Sequence, residues 1–179
     1  MRATWIQHDL TISPLVIMDN FLLSIEDNPD DILLLGMAFR KARLSARAEF
    51  LTDGEKAIEY FSASKPIPLL VLLDLKLPKK SGLEVLAWLR AQPPLRRLPV
   101  VMLSSSSQLE DIDLAYDLGA NSYLVKPGSI DGLVELAKAI DAFWIKSNSP
   151  PNVGSTGGQA APNVPGALAF TDAAATERS

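Results

Sequence analysis

Between about residues 21 and 145, short apolar runs alternate with longer segments of mixed polarity. The apolar runs lie near 21–25, 46–50, 69–73, 99–103 and 122–125 and read as strands. The third of them, Leu69-Leu70-Val71-Leu72-Leu73, has no polar position. That pattern marks a strand covered on both faces of a parallel sheet. The segments near 29–42, 53–62, 82–91, 108–117 and 129–145 read as helices. Asn28-Pro29 puts a capping side chain before a helix-compatible proline. Thr52 with Glu55, Ser81 with Glu84, and Ser107 with Glu110 have the spacing of a capping box. Gly119 is a stop signal after the fourth helix.

Strands that alternate with helices predict a doubly wound α/β fold, a parallel sheet with helices on both faces. Right-handed crossovers leave few topologies. The expected one is a five-stranded (βα)5 sheet in the order 2-1-3-4-5, with strands one and three as central neighbours.

Chemistry gathers at the predicted strand ends, where open α/β sheets hold ligands. Strand three ends on Asp74, and strand one, Phe21-Leu22-Leu23-Ser24-Ile25, is followed at once by Glu26-Asp27. Three carboxylates there repel one another unless a cation sits among them, and hard oxygen ligands suit Mg2+. Taken alone, Glu26 and Asp27 are equally well read as loop acids before a helix. Strand four runs into Ser104, and strand five runs into Lys126-Pro127. A hydroxyl and an ammonium beside three carboxylates match the needs of a phosphoryl group, with Asp74 as the nucleophile. The plainer readings are a loop serine for Ser104 and an ion pair for Lys126.

The whole chain has 179 residues, enough for one domain with tails, and 47% of them are hydrophobic. A formal net charge of −4 argues against a nucleic-acid-binding chain. The absence of cysteine excludes disulfides and thiolate metal sites, and fits a cytoplasmic location. No apolar run approaches the roughly 18 residues of a membrane span, and the first twenty residues do not read as a signal peptide. His8, the one histidine, reads as a tail residue. Residues 1–20 are expected to be an N-terminal extension and 21–146 the folded domain. The segment 147–179, rich in Pro, Gly, Ser, Asn, Thr and Ala, is expected to be a disordered tail.

In Glu26-Asp27, Asp74 within Leu73-Asp74-Leu75-Lys76-Leu77-Pro78, Gly82, Ser104, Tyr123 and Lys126-Pro127, the chain resembles the response-regulator receiver domains of bacterial two-component signalling. The loop Pro78-Lys79-Lys80-Ser81-Gly82 also matches, and the resemblance spans about residues 20–145. It implies the flavodoxin/CheY-like fold and a phosphoacceptor module rather than an enzyme acting on a metabolite. It implies that Asp74 accepts the phosphoryl group. Glu26, Asp27, Asp74 and the backbone carbonyl of Lys76 would hold Mg2+, with Asp27 a direct ligand. Lys126 would contact the phosphoryl group, and the Lys126–Pro127 bond would be cis. Ser104 and Tyr123 would form a switch, with Tyr123 swinging inward as Ser104 moves toward the phosphate. Lys76, two residues after Asp74, would tune access of water to it.

No output domain is read in the chain, so the expected partners are proteins: a sensor histidine kinase or a phosphotransfer protein, not nucleic acid or membrane. A finer resemblance, to small stand-alone regulators paired with bacterial phytochrome-type kinases, lies in Asp27-Asn28-Pro29-Asp30-Asp31, in Gly119 to Pro127 and in Phe143-Trp144. In the fifth helix Leu133, Ala137, Ile140 and Trp144 share a core-facing stripe. Leu136 and Phe143 widen it, which suits an isologous homodimer or packing on the sheet edge equally. Two further readings compete. A phosphorylation-independent docking scaffold would not need the full acidic set. An aspartate-nucleophile phosphatase usually needs a second acid where this chain has Lys76.

Overall fold

The computed structural model describes residues 20–63, 65–151 and 153. Five parallel strands, β1 (Phe21–Ile25), β2 (Arg47–Leu51), β3 (Leu70–Leu73), β4 (Val100–Ser104) and β5 (Ser122–Val125), form one sheet in the order β2-β1-β3-β4-β5. The connecting helices are α1 (Pro29–Ala42), α2 (Gly54–Ser62), α3 (Gly82–Ala91) and α4 (Leu109–Asp117), and α5 (Ile130–Ile140) follows β5. The predicted (βα)5 topology is therefore the observed one. Strand bounds differ from the expected ones by a single residue at β2, β3 and β4.

The sheet is buried on both sides, which explains why β3 shows no alternation. Val71 and Leu73 face a core shared with Ala57 of α2, Val85, Leu86 and Leu89 of α3, and Ala115 of α4. Leu70 and Leu72 face the opposite core, with Leu35, Ala38 and Phe39 of α1 and Leu133, Ala137 and Ile140 of α5. Fully burying one such side chain stabilises the fold by about 1.5–3 kcal/mol before entropy is counted.

Two helix starts follow the sequence pattern. The Asn28 side chain accepts from the amides of Asp30 and Asp31, and Ser81 and Glu84 form the reciprocal capping box. Two do not. Asp53, not Thr52, caps α2 by accepting from the Lys56 amide, while the Thr52 hydroxyl accepts from the Lys56 ammonium. Around α4 the Ser107 box is not formed. Gln108 takes the cap position without a side-chain bond, and Ser106 Oγ donates to Asp111 instead.

The fifth helix is also shorter than expected. Its α-helical part ends at Ile140, and a wider i→i+5 turn runs from Asp141 to Ser147. Asp141 is buried at this change, accepting from the Ser45 amide and hydroxyl and pairing with Lys146. Trp144 and Leu136 pack against the α1–α5 core, whereas Phe143 is exposed and meets Trp144 edge-on at 5.0 Å. The expected extension before residue 20 and most of the expected tail lie outside the described residues. Val153, within that segment, is buried in the α2–α4 core.

Candidate functional site

The sheet ladder itself assembles the site. Ile25 and Leu73 are register partners, so the next residues of each chain, Glu26 and Asp74, emerge side by side. The Asp74 amide donates to the Ile25 carbonyl, and the Glu26 amide to that of Leu51. On the other side, Ser104 and Val125 are paired, and the Lys126 amide donates to the Ser104 carbonyl. Backbone bonds thus hold Glu26, Asp74, Ser104 and Lys126 along the C-terminal edge.

Glu26, Asp27 and Asp74 each offer a carboxylate oxygen within 4.8 Å of the others. Glu26 and Asp74 are buried and Asp27 is exposed. Three hard oxygen donors gathered this closely suit a divalent cation that keeps part of its water shell. The counter-charge in the structure is Lys126, 10% exposed at its side chain. Its Nζ lies 2.5 Å from Glu26, 2.8 Å from Asp31 and 3.1 Å from Asp74. The plain reading of Lys126 as an ion-pair residue therefore holds alongside its position in the site. Asp31, in the first turn of α1, was not among the expected site residues.

Electrostatics follow from this packing. Burial pushes the Glu26 carboxyl above its ordinary value and the Asp74 charge adds to that, while Lys126 pulls it back only in part. Burial also works against the Lys126 ammonium. Its bonds to Asp31 and Glu26 and the Asp74 charge outweigh that, and hold it above the ordinary lysine range.

The loop after Asp74 is tightly constrained. The Lys76 amide donates to Asp74 Oδ2 at 2.8 Å, fixing one carboxylate oxygen, and the Lys76 side chain is exposed. Gly82 is required because a Cβ there would stand 2.9 Å from the Asp74 carbonyl carbon and closer still to its oxygen. Lys79 sits at φ 65 and bridges Asp53 and Glu55 of the α2 start. Gly54, beside Asp53, lets the Lys80 carbonyl approach closely.

Ser104 is buried at the end of β4, and its hydroxyl accepts from the Ser106 amide at 3.3 Å. The Tyr123 hydroxyl donates to the Ser106 carbonyl at 3.1 Å, and its ring packs against the α2–α4 core. Both expected switch residues thus converge on Ser106. The Lys126–Pro127 bond corrects an expectation: it is trans, and no cis bond occurs among the described residues. Trans is the commoner form even before proline, by about 0.5–1 kcal/mol.

Comparison with known proteins agrees with this geometry. The family model of the response regulator receiver domain matches residues 22–138. The probable methanogenesis regulatory protein FilR2 of Methanothrix harundinacea is 37% identical over 134 residues, covering 73% of this chain and 86% of that protein. Response regulator Rcp1 of Synechocystis is 33% identical over 135 residues, covering 73% and 92%. The Mn2+-bound form of Rcp1 superposes with a TM-score of 0.67, covering 74% of this chain and 99% of that one, at 33% identity. The phosphorylated cyanobacterial phytochrome response regulator RcpA superposes at 0.68, covering 74% and 98%, at 36% identity. No helix among the described residues is long and apolar enough to cross a membrane. The acidic cluster is suited to a divalent cation, and the fold to two-component signalling through a sensor kinase. The chain belongs to the response-regulator receiver family.

Proposed function

We propose that Asp74 is the phosphoacceptor of this receiver and that Mg2+ is its working cation. The observation that carries the reading is the meeting of three carboxylates within 4.8 Å, with the Lys126 ammonium 3.1 Å from Asp74. A carboxylate oxygen of Asp74 attacks the phosphorus of a phosphohistidine. The new P–O bond forms as the P–N bond breaks, and the electron pair leaves with the imidazole. Asp27, Glu26, Asp74 and the Lys76 carbonyl would hold Mg2+, which supplies positive charge for the phosphoryl oxygens. Lys126 contributes an ammonium donor to those oxygens, and Ser104 a hydroxyl.

The readout we propose is a shift at the β4–α4 loop. Ser104 moving toward the phosphoryl group would relax its contact with Ser106, to which Tyr123 is bonded from the other side. A local charge event then biases a two-state surface made by α4, β5 and α5. The donor we favour is a phytochrome-type histidine kinase, because RcpA, a phytochrome response regulator, is matched over 98% of its own length at 36% identity. The signalling domain is proposed to span 21–146, in a cytoplasmic setting.

The test is phosphotransfer from an autophosphorylated, radiolabelled phytochrome-type kinase. Label should leave the kinase and appear on this chain, and Asp74→Asn should abolish the transfer. Label that moves equally well to Asp74→Asn contradicts the assignment. A kinase of another class acting faster would keep the phosphoacceptor and replace the partner.

A further inference from the structure

Asp53 is a buried acid that the chemistry above does not use. Its side chain is 6% exposed, and it is not one of the three carboxylates gathered at the cation site. Capping α2 occupies one of its oxygens, since Oδ1 accepts from the Lys56 amide at 2.7 Å. The other, Oδ2, accepts from the Lys79 ammonium at 3.3 Å. A helix cap needs only the first of these bonds.

Lys79 lies in the loop that joins Asp74 to α3, and its backbone is left-handed at φ 65. A residue with a Cβ adopts that conformation reluctantly. The loop is held at its ends by its own bonds, from the Lys76 amide to Asp74 and from the Gly82 amide to the Leu75 carbonyl. Its middle is held from the start of α2. Lys79 pairs with Asp53 and, at 3.2 Å, with Glu55. The Lys80 carbonyl seats against Gly54, where a Cβ would stand 2.8 Å from the carbonyl carbon. The Glu55 side chain is 57% exposed, so the buried, cap-fixed Asp53 is the stronger anchor. What the loop brings to the site is the Lys76 backbone. Its amide fixes Asp74 Oδ2, and its carbonyl is the proposed cation ligand.

We propose that Asp53 is a positioning residue that acts through Lys79. The pair braces the loop so that the Lys76 backbone is preset beside Asp74, and it thereby tightens divalent-cation binding. The inference rests on the cation reading above and adds two residues to it. Neither residue touches the reacting atoms in this scheme. Charge alone makes a different forecast. Loss of the Asp53 charge would weaken the attraction for a cation, but loss of the Lys79 charge would strengthen it. Bracing predicts that both losses weaken binding.

The test is the Mg2+ dissociation constant of the full chain, measured by isothermal titration calorimetry with no phosphodonor. Asp53→Asn keeps an oxygen to cap α2 and deletes the charge facing Lys79. Lys79→Met keeps most of the stem and deletes the ammonium. Each should raise the dissociation constant about three- to tenfold, below the roughly 10–100-fold typical when a direct partner of a metal ligand is lost. The double variant should lose no more than the larger single loss, because both changes remove one contact. Lys79→Arg should return binding toward that of the parent. Lys79→Gly adopts φ 65 without strain and should weaken binding as Lys79→Met does. It decides the matter if urea midpoints in EDTA show Lys79→Met to be unfolded. Mg2+ held by Lys79→Met or Lys79→Gly as tightly as by the parent, or more tightly, overturns the proposal. So does a double variant whose loss is the product of the two single losses. If the parent binds no Mg2+, the cation reading fails and this inference falls with it. If the parent binds Mg2+ and Asp53→Asn binds it equally well, only the inference fails.

Discussion

Lys126→Met is the most informative single change to the stability of the site. It keeps most of the aliphatic stem and deletes the charge. Glu26 and Asp74, with side chains 3% and 6% exposed, are then left facing each other. Removing one partner of a buried pair typically costs about 3–5 kcal/mol. Here the penalty has a ceiling, because Glu26 can take up a proton instead. Starting from the ordinary value of 4.5, protonation at pH 7 costs about 3.4 kcal/mol. The expected loss at pH 7 is therefore about 2–3.5 kcal/mol.

The pH dependence has a definite sign. Glu26 is already raised by burial, and loss of the lysine raises it further. A carboxyl raised in the folded state favours folding at low pH and loses that contribution as pH rises through its folded value. The deficit of the variant should therefore shrink on acidification, to a ceiling of about 0.7 kcal/mol at pH 5. Lys126 in the parent stays charged across this window, since its pairs hold it above the ordinary lysine range. Urea unfolding of parent and variant at pH 7 and pH 5, with EDTA present, measures both quantities. Equal stability at pH 7, or a deficit that persists undiminished at pH 5, would show that Lys126 does not offset the buried charge of Glu26 and Asp74.

Three further outcomes are expected. Gly82→Ala should cost about 2–3 kcal/mol by urea unfolding and slow phosphorylation, because its Cβ would press on the Asp74 carbonyl. Asn28→Ala, which removes the acceptor for the Asp30 and Asp31 amides, should cost about 1 kcal/mol in the same assay. Glu84 is held down to about 2 from 4.5, chiefly by the Ser81 amide with help from Lys80. Its contribution is therefore present above pH 4.5 and lost as pH falls toward 2. Thermal midpoints should show a deficit for Glu84→Gln at pH 6 that closes near pH 2.

Local signals were legible where a single residue and its neighbours settle the outcome. Asn28 and Ser81 cap their helices as their spacing predicts, and β3 is apolar throughout because helices cover both of its faces. The start of α2 was misread by one residue because Thr52 and Asp53 are both competent caps. Asp53 also binds Lys79, which arrives from the β3–α3 loop. The Ser107–Glu110 spacing was a false match, since Ser106 turns to Asp111 instead. Glu26, Asp27, Asp74, Ser104 and Lys126 could be named because a parallel sheet sends every strand end to the same edge. Asp31 could not be singled out the same way. Its partner is 95 residues distant, and an acid in the first turn of a helix is sufficiently explained by the helix dipole. Its signal was its place one turn beyond Asp27, on the side of α1 that faces Lys126 and the β5–α5 loop.

The proposed role of Asp74 is to take up a phosphoryl group in a site that depends on a divalent cation. Intact mass after incubation with Mg2+ and acetyl phosphate, beside Asp74→Asn and an EDTA control, tests it most directly. A gain of about 80 Da, one phosphoryl group, is expected in the parent alone and only with Mg2+ free. The same gain in Asp74→Asn, or a gain undiminished by EDTA, would contradict it.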